Sequence, residues 1–245
     1  MLLKSAGEAR SFGKRVVEEL SSQGVFAALE LLNEILSEHT PFRLLDLLGT
    51  ELNSAVRNKA DELLQAIAGR RSEGGWVVIA SALRARLPLG VNEPLEAARR
   101  FIIQAGIWYG CDSIAERVPG QALVDQFQSS LAGLAAWRSD PDHWVRRAAG
   151  VAGHFWFKRA HGTSAYEGQA RAMLDFYRPM LAEREYEAAK GVGWALKTAG
   201  RYYPQIAADW LEREWLVKNN PPAAVIRRKA LRYLPADLKR NFQKF

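Results

Sequence analysis

The chain has 245 residues, 48% of them hydrophobic and 25% charged, which is apolar material for one large core or two modest ones and excludes a disordered tail. Lysine and arginine number 34 against 27 acidic residues, a formal net charge of +7 with a sequence pI near 9.6, the balance either of a protein with an anionic partner or simply of a soluble one. The one cysteine, Cys111, excludes an internal disulfide and a cysteine-built zinc cage and points to the reducing cytosol. The apolar run in the N-terminal MLLKSAGEARSFGKR is too short for a signal peptide, and no stretch approaches the roughly 18 apolar residues of a membrane span.

Helical spacing begins at 24–38, where Val25, Leu29, Leu32 and Ile35 share a face, and returns at 53–69 with Val56, Leu63, Leu64 and Ile67. Breakers punctuate the chain throughout: Pro41, Gly74-Gly75, Pro88, Pro119, Asp140-Pro141, Gly162, Pro204 and Pro221-Pro222. The run Trp76-Val77-Val78-Ile79-Ala80 is strand-like in composition but continues into Ser81-Ala82-Leu83-Arg84 without a turn, so it reads as a buried helix. Four helix-opening segments look alike: Ala55–Ala60, Trp144–Ala149, Tyr186–Gly191 and Val225–Ala230. The last three recur at about 40 residues, the period of HEAT and armadillo helix pairs. The predicted fold is therefore all-α, an α-solenoid of HEAT-like helix pairs with a concave face suited to a long partner. No linker divides it, so a single domain over 1–245 is expected, with first repeats at 24–69 less regular than those after residue 90.

Residues 1–122 hold 14 basic and 15 acidic residues, whereas 123–245 hold 20 and 12. The basic excess is thus wholly C-terminal, and in the last 28 residues Lys218, Arg227, Arg228, Lys229, Arg232, Lys239, Arg240 and Lys244 face only Asp237. Such a run is either a solvated helix face or a nucleic-acid surface.

The common catalytic kits are missing. His39, His143, His154 and His161 are scattered, no HExxH or CxxC occurs, and no glycine-rich loop follows a strand, so metalloprotease, zinc-finger and P-loop readings fail and no metal is called for. Cys111 has no paired histidine and reads as a small buried hydrophobe. What stands out is aromatic, arginine and one carboxylate. Trp108 precedes Asp112 by four residues, one helical turn; Trp144 and Arg147 stand three apart on a second helix; Trp194 lies on a third. Each has a structural alternative. Asp112 is a possible N-cap, or Ser113 and Glu116 a capping box; Trp108 and Trp194 are possible core fillers, and Arg147 a possible interhelix ion pair. Stacked repeats would bring the set together on the concave face.

The segments IWYGCDSIAERV (107–118), SDPDHWVRRAAGVAGHFWFKR (139–159) and EREYEAAKGVGWALKTAGRYYP (183–204) resemble those of the AlkD-like DNA alkylation-repair glycosylases, which are built of HEAT-like repeats. The resemblance covers roughly 90–235, the N-terminal third matching only as helices of similar length. It implies that Trp108, Trp194 and Asp112 are the family's two active-site indoles and carboxylate, and that Arg147 positions phosphate or that carboxylate. The chain departs from the pattern at Ile107, where a second indole is common, and at Lys197, where an arginine is. The implied chemistry suits these residue types. A purine alkylated at N3 or N7 is cationic and leaves without a general acid, so an enzyme has only to stabilise an oxocarbenium-like sugar and position a water, both within reach of Asp112. Indole faces hold a cation at on the order of 0.5–2 kcal/mol each. Arg147 would clamp the backbone, and Arg146, Lys158, Arg159, Lys190, Lys197, Arg227, Arg228 and Lys229 would supply a salt-dependent phosphate grip. The expected partner is alkylated duplex DNA, met by a monomer without cofactor. Two other readings stay open: a HEAT-repeat paralogue that binds branched or damaged DNA without chemistry, and a protein-interaction solenoid, since fold does not fix function.

Overall fold

A computed structural model describes residues 3–37, 39–219 and 221–242. The fold is all-α, with no strand among the described residues. The chain forms two compact units, Met1–Val118 and Pro119–Phe245, each with its helices stacked in two layers in the manner of an α-solenoid.

The N-terminal unit contains α1 (Ala6–Ser22), α2 (Val25–Leu36), α3 (Phe42–Glu51), α4 (Arg57–Gly69), α5 (Glu73–Arg84), α6 (Asn92–Ala105) and α7 (Trp108–Ala115). Helices α1, α3, α5 and α7 pack in succession as one layer, and α2, α4 and α6 as the other. Ser5 and Ser72 open α1 and α5 by accepting hydrogen bonds from the amides of Glu8 and Gly75, relieving donors that have no partner in a first turn. The strand-like run is indeed helical: α5 is buried continuously from Gly75 to Leu83, because α3 and α7 flank it in its own layer and α4 and α6 back it from the other. A helix enclosed by neighbours in both layers carries a long apolar run, which is why its composition mimics a strand. Leu29, Leu32 and Ile35 are buried on α2, and Leu63, Leu64 and Ile67 on α4, as their spacing predicts. Val56 is not with them. It is the extended residue before α4 and is 64% exposed, so the helical register that would have turned it inward starts one residue too late.

The C-terminal unit contains α8 (Gln121–Asp125), α9 (Phe127–Gly133), α10 (His143–Ala160), α11 (Glu167–Phe176), α12 (Tyr186–Tyr202), α13 (Pro204–Leu211), α14 (Ala224–Ala230) and α15 (Ala236–Lys239). Its first layer is α8, α10, α12 and α14; α9, α11, α13 and α15 make the second. The three like segments at 144–149, 186–191 and 225–230 open α10, α12 and α14, neighbours in one layer, whereas 55–60 opens α4 of the N-terminal unit. The expected gain in regularity after residue 90 is reversed. Long α10 and α12 alternate with short partners interrupted by 3-10 turns at Ala135–Ser139, Ser164–Tyr166 and Arg178–Ala182 and a π-turn at Glu212–Val217. Pro179 within one of those turns removes a helical donor.

Helices α10 and α12 meet backbone to backbone. A Cβ built on Gly150 would overlap the main chain of Gly191 and Val192, and one on Gly191 would overlap that of Arg147. Only glycine at both positions permits this approach. Gly153 likewise leaves room for the Tyr177 hydroxyl, which donates to the Ala149 carbonyl at 2.8 Å.

Candidate functional site

The first group of residues lies on α7. Gly106 adopts φ +57 and ends α6, with its amide bonded to the Ile102 carbonyl, and the Arg71 guanidinium donates to the carbonyl of Ala105 at 3.0 Å. Ile107 is extended, so the helix restarts at Trp108. Asp112 is therefore an interior residue of α7, and the capping roles considered for Asp112, Ser113 and Glu116 do not arise. Trp108 is 55% exposed in the first turn, edge-on to Tyr109 with ring centroids 5.7 Å apart. Asp112 is half-buried one turn further on. Cys111, on the same helix, is buried. Gly110 lets α7 sit on α5: a Cβ there would lie 2.8 Å from that of Ala105 and 3.2 Å from the Trp76 ring. Past α7 the Arg117 guanidinium meets Asp46 at 2.6 Å, donates to the Ser113 carbonyl at 3.2 Å, and shares Asp46 with the Ser81 hydroxyl. This ties α3, α5 and the end of α7 together, so an exposed indole and a carboxylate stand one turn apart on a helix held from both ends.

The second group lies on α10, α12 and α14. The Asp142 carboxylate opens α10 by accepting from the amides of Trp144 and Val145 at 2.8 and 3.3 Å. Glu185 does the same for α12. Arg147 is 4% exposed and donates to Glu187 at 2.7 Å across the helix pair; Lys190 reaches the other oxygen of Glu187 at 3.0 Å. The interhelix ion pair considered for Arg147 is thus present. Trp194 is half-buried on α12. The His154 imidazole of α10 is stacked on its ring, centroids 4.4 Å apart and planes within 13°, and the Lys197 ammonium lies 5.8 Å from the same ring and 5.5 Å from Tyr233. The Lys229 stem packs against Gly193, the residue before Trp194.

These side chains share a strongly positive field. Burial, then Lys158, Lys197 and Lys229, pushes the His154 imidazole down to about 4, so it is neutral at pH 7. Burial, then Lys197, Lys190, Arg147 and Arg228, lowers the Lys229 ammonium. Cations that depress one another in this way make a surface complementary to a polyanion. Three further predicted basic residues also have contacts within the protein. Arg146 pairs with Glu183 at 2.7 Å and donates to the Asp140 and Pro141 carbonyls, Arg159 lies over Phe155, and Arg227 over Trp215.

Of the predicted site residues, Trp108 and Asp112 belong to the N-terminal unit, and Arg147, Lys190, Trp194, Lys197, Arg228 and Lys229 to the C-terminal one. Sequence reasoning missed His154, Glu187 and Thr198. Helical spacing signals two of them: His154 is seven residues after Arg147 and four before Lys158, and Thr198 four after Trp194. Among the described residues no group of three or more His, Cys, Asp or Glu is placed to hold a metal, and no helix is long and apolar enough to cross a membrane.

A family model described as DNA alkylation repair enzyme matches residues 47–234. No curated protein and no solved structure matches the chain.

Proposed function

Because the chain belongs to the DNA alkylation repair enzyme family, which sets its work in the repair of alkylation damage, we propose that it is a DNA N-glycosylase releasing cationic N3- or N7-alkylated purines from duplex DNA and initiating base excision repair. The observation that carries this reading is the pairing on α7 of an exposed indole, Trp108, with a carboxylate one turn away, Asp112. In this reading Asp112 stabilises the developing sugar cation and orients the attacking water, while the exposed Trp108 beside it offers an electron-rich face to the charged base; the indole of Trp194, on the C-terminal unit, offers the same chemistry. The Lys190, Lys197, Lys229 and Arg228 group, with Lys158 on α10, grips phosphate. Arg147, buried against Glu187, acts by fixing the α10–α12 pair beneath that grip. The protein works as a monomer in the cytosol without a cofactor.

The test is release of methylated purines from alkylated duplex DNA, followed by chromatography with mass detection. The wild type should release base, and Asp112→Asn should lose about 10²- to 10⁴-fold in rate with duplex affinity nearly unchanged. Tight binding with no release by the wild type would instead identify a paralogue that binds damaged or branched DNA without cutting it. The positive face on α10, α12 and α14 would serve that protein equally.

A further inference from the structure

Trp194 is not held by apolar packing alone. One face of its indole lies flat against His154, centroids 4.4 Å apart and planes within 13°, and the backbone beneath it is tied to the same imidazole. The Thr198 hydroxyl donates to the Trp194 carbonyl at 3.0 Å, and His154 Nδ1 lies 2.7 Å from Thr198 Oγ1. A hydroxyl has one proton, and here it is committed to the carbonyl, so the proton between ring and hydroxyl belongs to Nδ1. The tautomer follows: Nδ1 is protonated and donates, and Nε2 carries the lone pair. A ring with its plane set by a stack and its rotation set by a hydrogen bond leaves its partner indole little freedom.

We propose that His154 is a positioning residue: in its neutral, Nδ1-protonated form it locks the indole of Trp194 in the plane from which that indole meets a cationic base. The cationic base rests on the glycosylase reading above; the locking does not. Neutrality is the essential part. An imidazolium in that stack would place a full positive charge 4.4 Å behind the ring meant to receive another cation, and the two would repel. The charged groups that face His154 are Lys158 from its own helix α10, Lys197 from α12 and Lys229 from α14. All three are cations and all three disfavour the imidazolium. The positive face therefore does two things at once: it attracts phosphate, and it keeps the ring behind Trp194 uncharged.

The experiment isolates Trp194 emission in the full-length protein as the difference between wild type and Trp194→Phe, with far-UV circular dichroism reporting the fold. In the wild type this emission should fall as His154 protonates and quenches it, with a midpoint near 4, and acrylamide should reach the indole poorly. His154→Ala should abolish that transition and open Trp194 to acrylamide. His154→Phe, which keeps the flat stack, should abolish the transition while preserving the shielding, and it carries the test alone if the alanine variant does not fold. Shielding of Trp194 unchanged in His154→Ala, or a transition that survives in His154→Phe, overturns the proposal. If the wild type releases alkylated purine, His154→Ala should slow single-turnover release by about 10- to 100-fold, the scale of a misplaced reacting partner, with duplex affinity unchanged and His154→Phe recovering most of the rate. Absence of release by the wild type would defeat the glycosylase reading and leave the optical arm to decide His154.

Discussion

The layer α3–α5–α7 of the N-terminal unit and the layer α10–α12–α14 of the C-terminal unit solve one problem in two ways. In the first, Gly49 lets α3 rest on the α5 main chain at Val78 and charge is neutralised: Asp46 takes both Arg117 and the Ser81 hydroxyl, and elsewhere in that unit Arg86, 2% exposed, is matched by Asp61 and Glu93. In the second, paired glycines likewise bring α10 and α12 into main-chain contact and the Glu187 carboxylate serves both Arg147 and Lys190, but Lys190, Lys197, Arg147 and Arg228 crowd Lys229. Mutual repulsion is a standing cost in the free protein, offset only when counter-charge arrives. The difference teaches where a polyanion belongs: charge in the first layer is structural, and charge in the second is left for a ligand.

The comparison breaks most readily at the glycines. Gly191→Val should cost at least about 3 kcal/mol and leave the C-terminal unit unable to close, measured by chemical denaturation. An exposed alanine substitution in α4, such as Gln65→Ala, should stay within about 0.5 kcal/mol. The ion pairs come next. Glu187→Gln weakens a buried ion pair of Arg147 and Asp46→Asn that of Arg117, and each should lose about 2 to 3 kcal/mol in the same assay, less than for fully enclosed pairs because both carboxylates are partly exposed.

Acid sharpens the contrast. The His154 pKa is lowered on folding to about 4, so between an unfolded value near 6.5 and that folded value the unfolded chain binds the extra proton. Its contribution to stability is full above pH 6.5 and is lost as pH falls toward 4, on the order of 2 to 3 kcal/mol in all. In His154→Phe that slope between pH 6.5 and 4 should flatten, seen in denaturation midpoints across the range. The smallest effect is electrostatic. Lys190→Gln, Lys197→Gln or Lys229→Gln should each lower the salt slope of duplex binding by about 0.9, whereas Arg100→Gln, whose partner Glu96 is exposed on α6, should leave it unchanged.

Much of the fold was legible because helical periodicity is a local signal. Leu29, Leu32 and Ile35 announce α2, and the recurrence of like segments announces that α10, α12 and α14 share a layer. The division after Val118 was not legible, because Glu116–Gly120 continues α7 into α8 as a π-turn with Pro119 inside it, and no linker composition marks the place. At the site, Trp108 and Asp112 could be placed on one face from spacing alone, since both lie on one helix. The partners of Arg147 and Trp194 could not. Glu187 stands 40 residues from Arg147 and Thr198 44 from His154, and which side chains meet across two helices depends on an approach that only the paired glycines permit.

That approach has a mechanical corollary. Two helices separated by long side chains can drift apart or slide as rotamers change, but helices resting main chain on main chain at Gly150 and Gly191 have nothing soft between them. The span between cations carried by α10 and those carried by α12 is accordingly a fixed gauge. Were the proposed duplex laid against it, the two helix axes could not draw apart or together, and adjustment would fall to the lysine stems and to the nucleic acid. Stiffness of this kind turns a protein surface into a probe of how easily its partner bends.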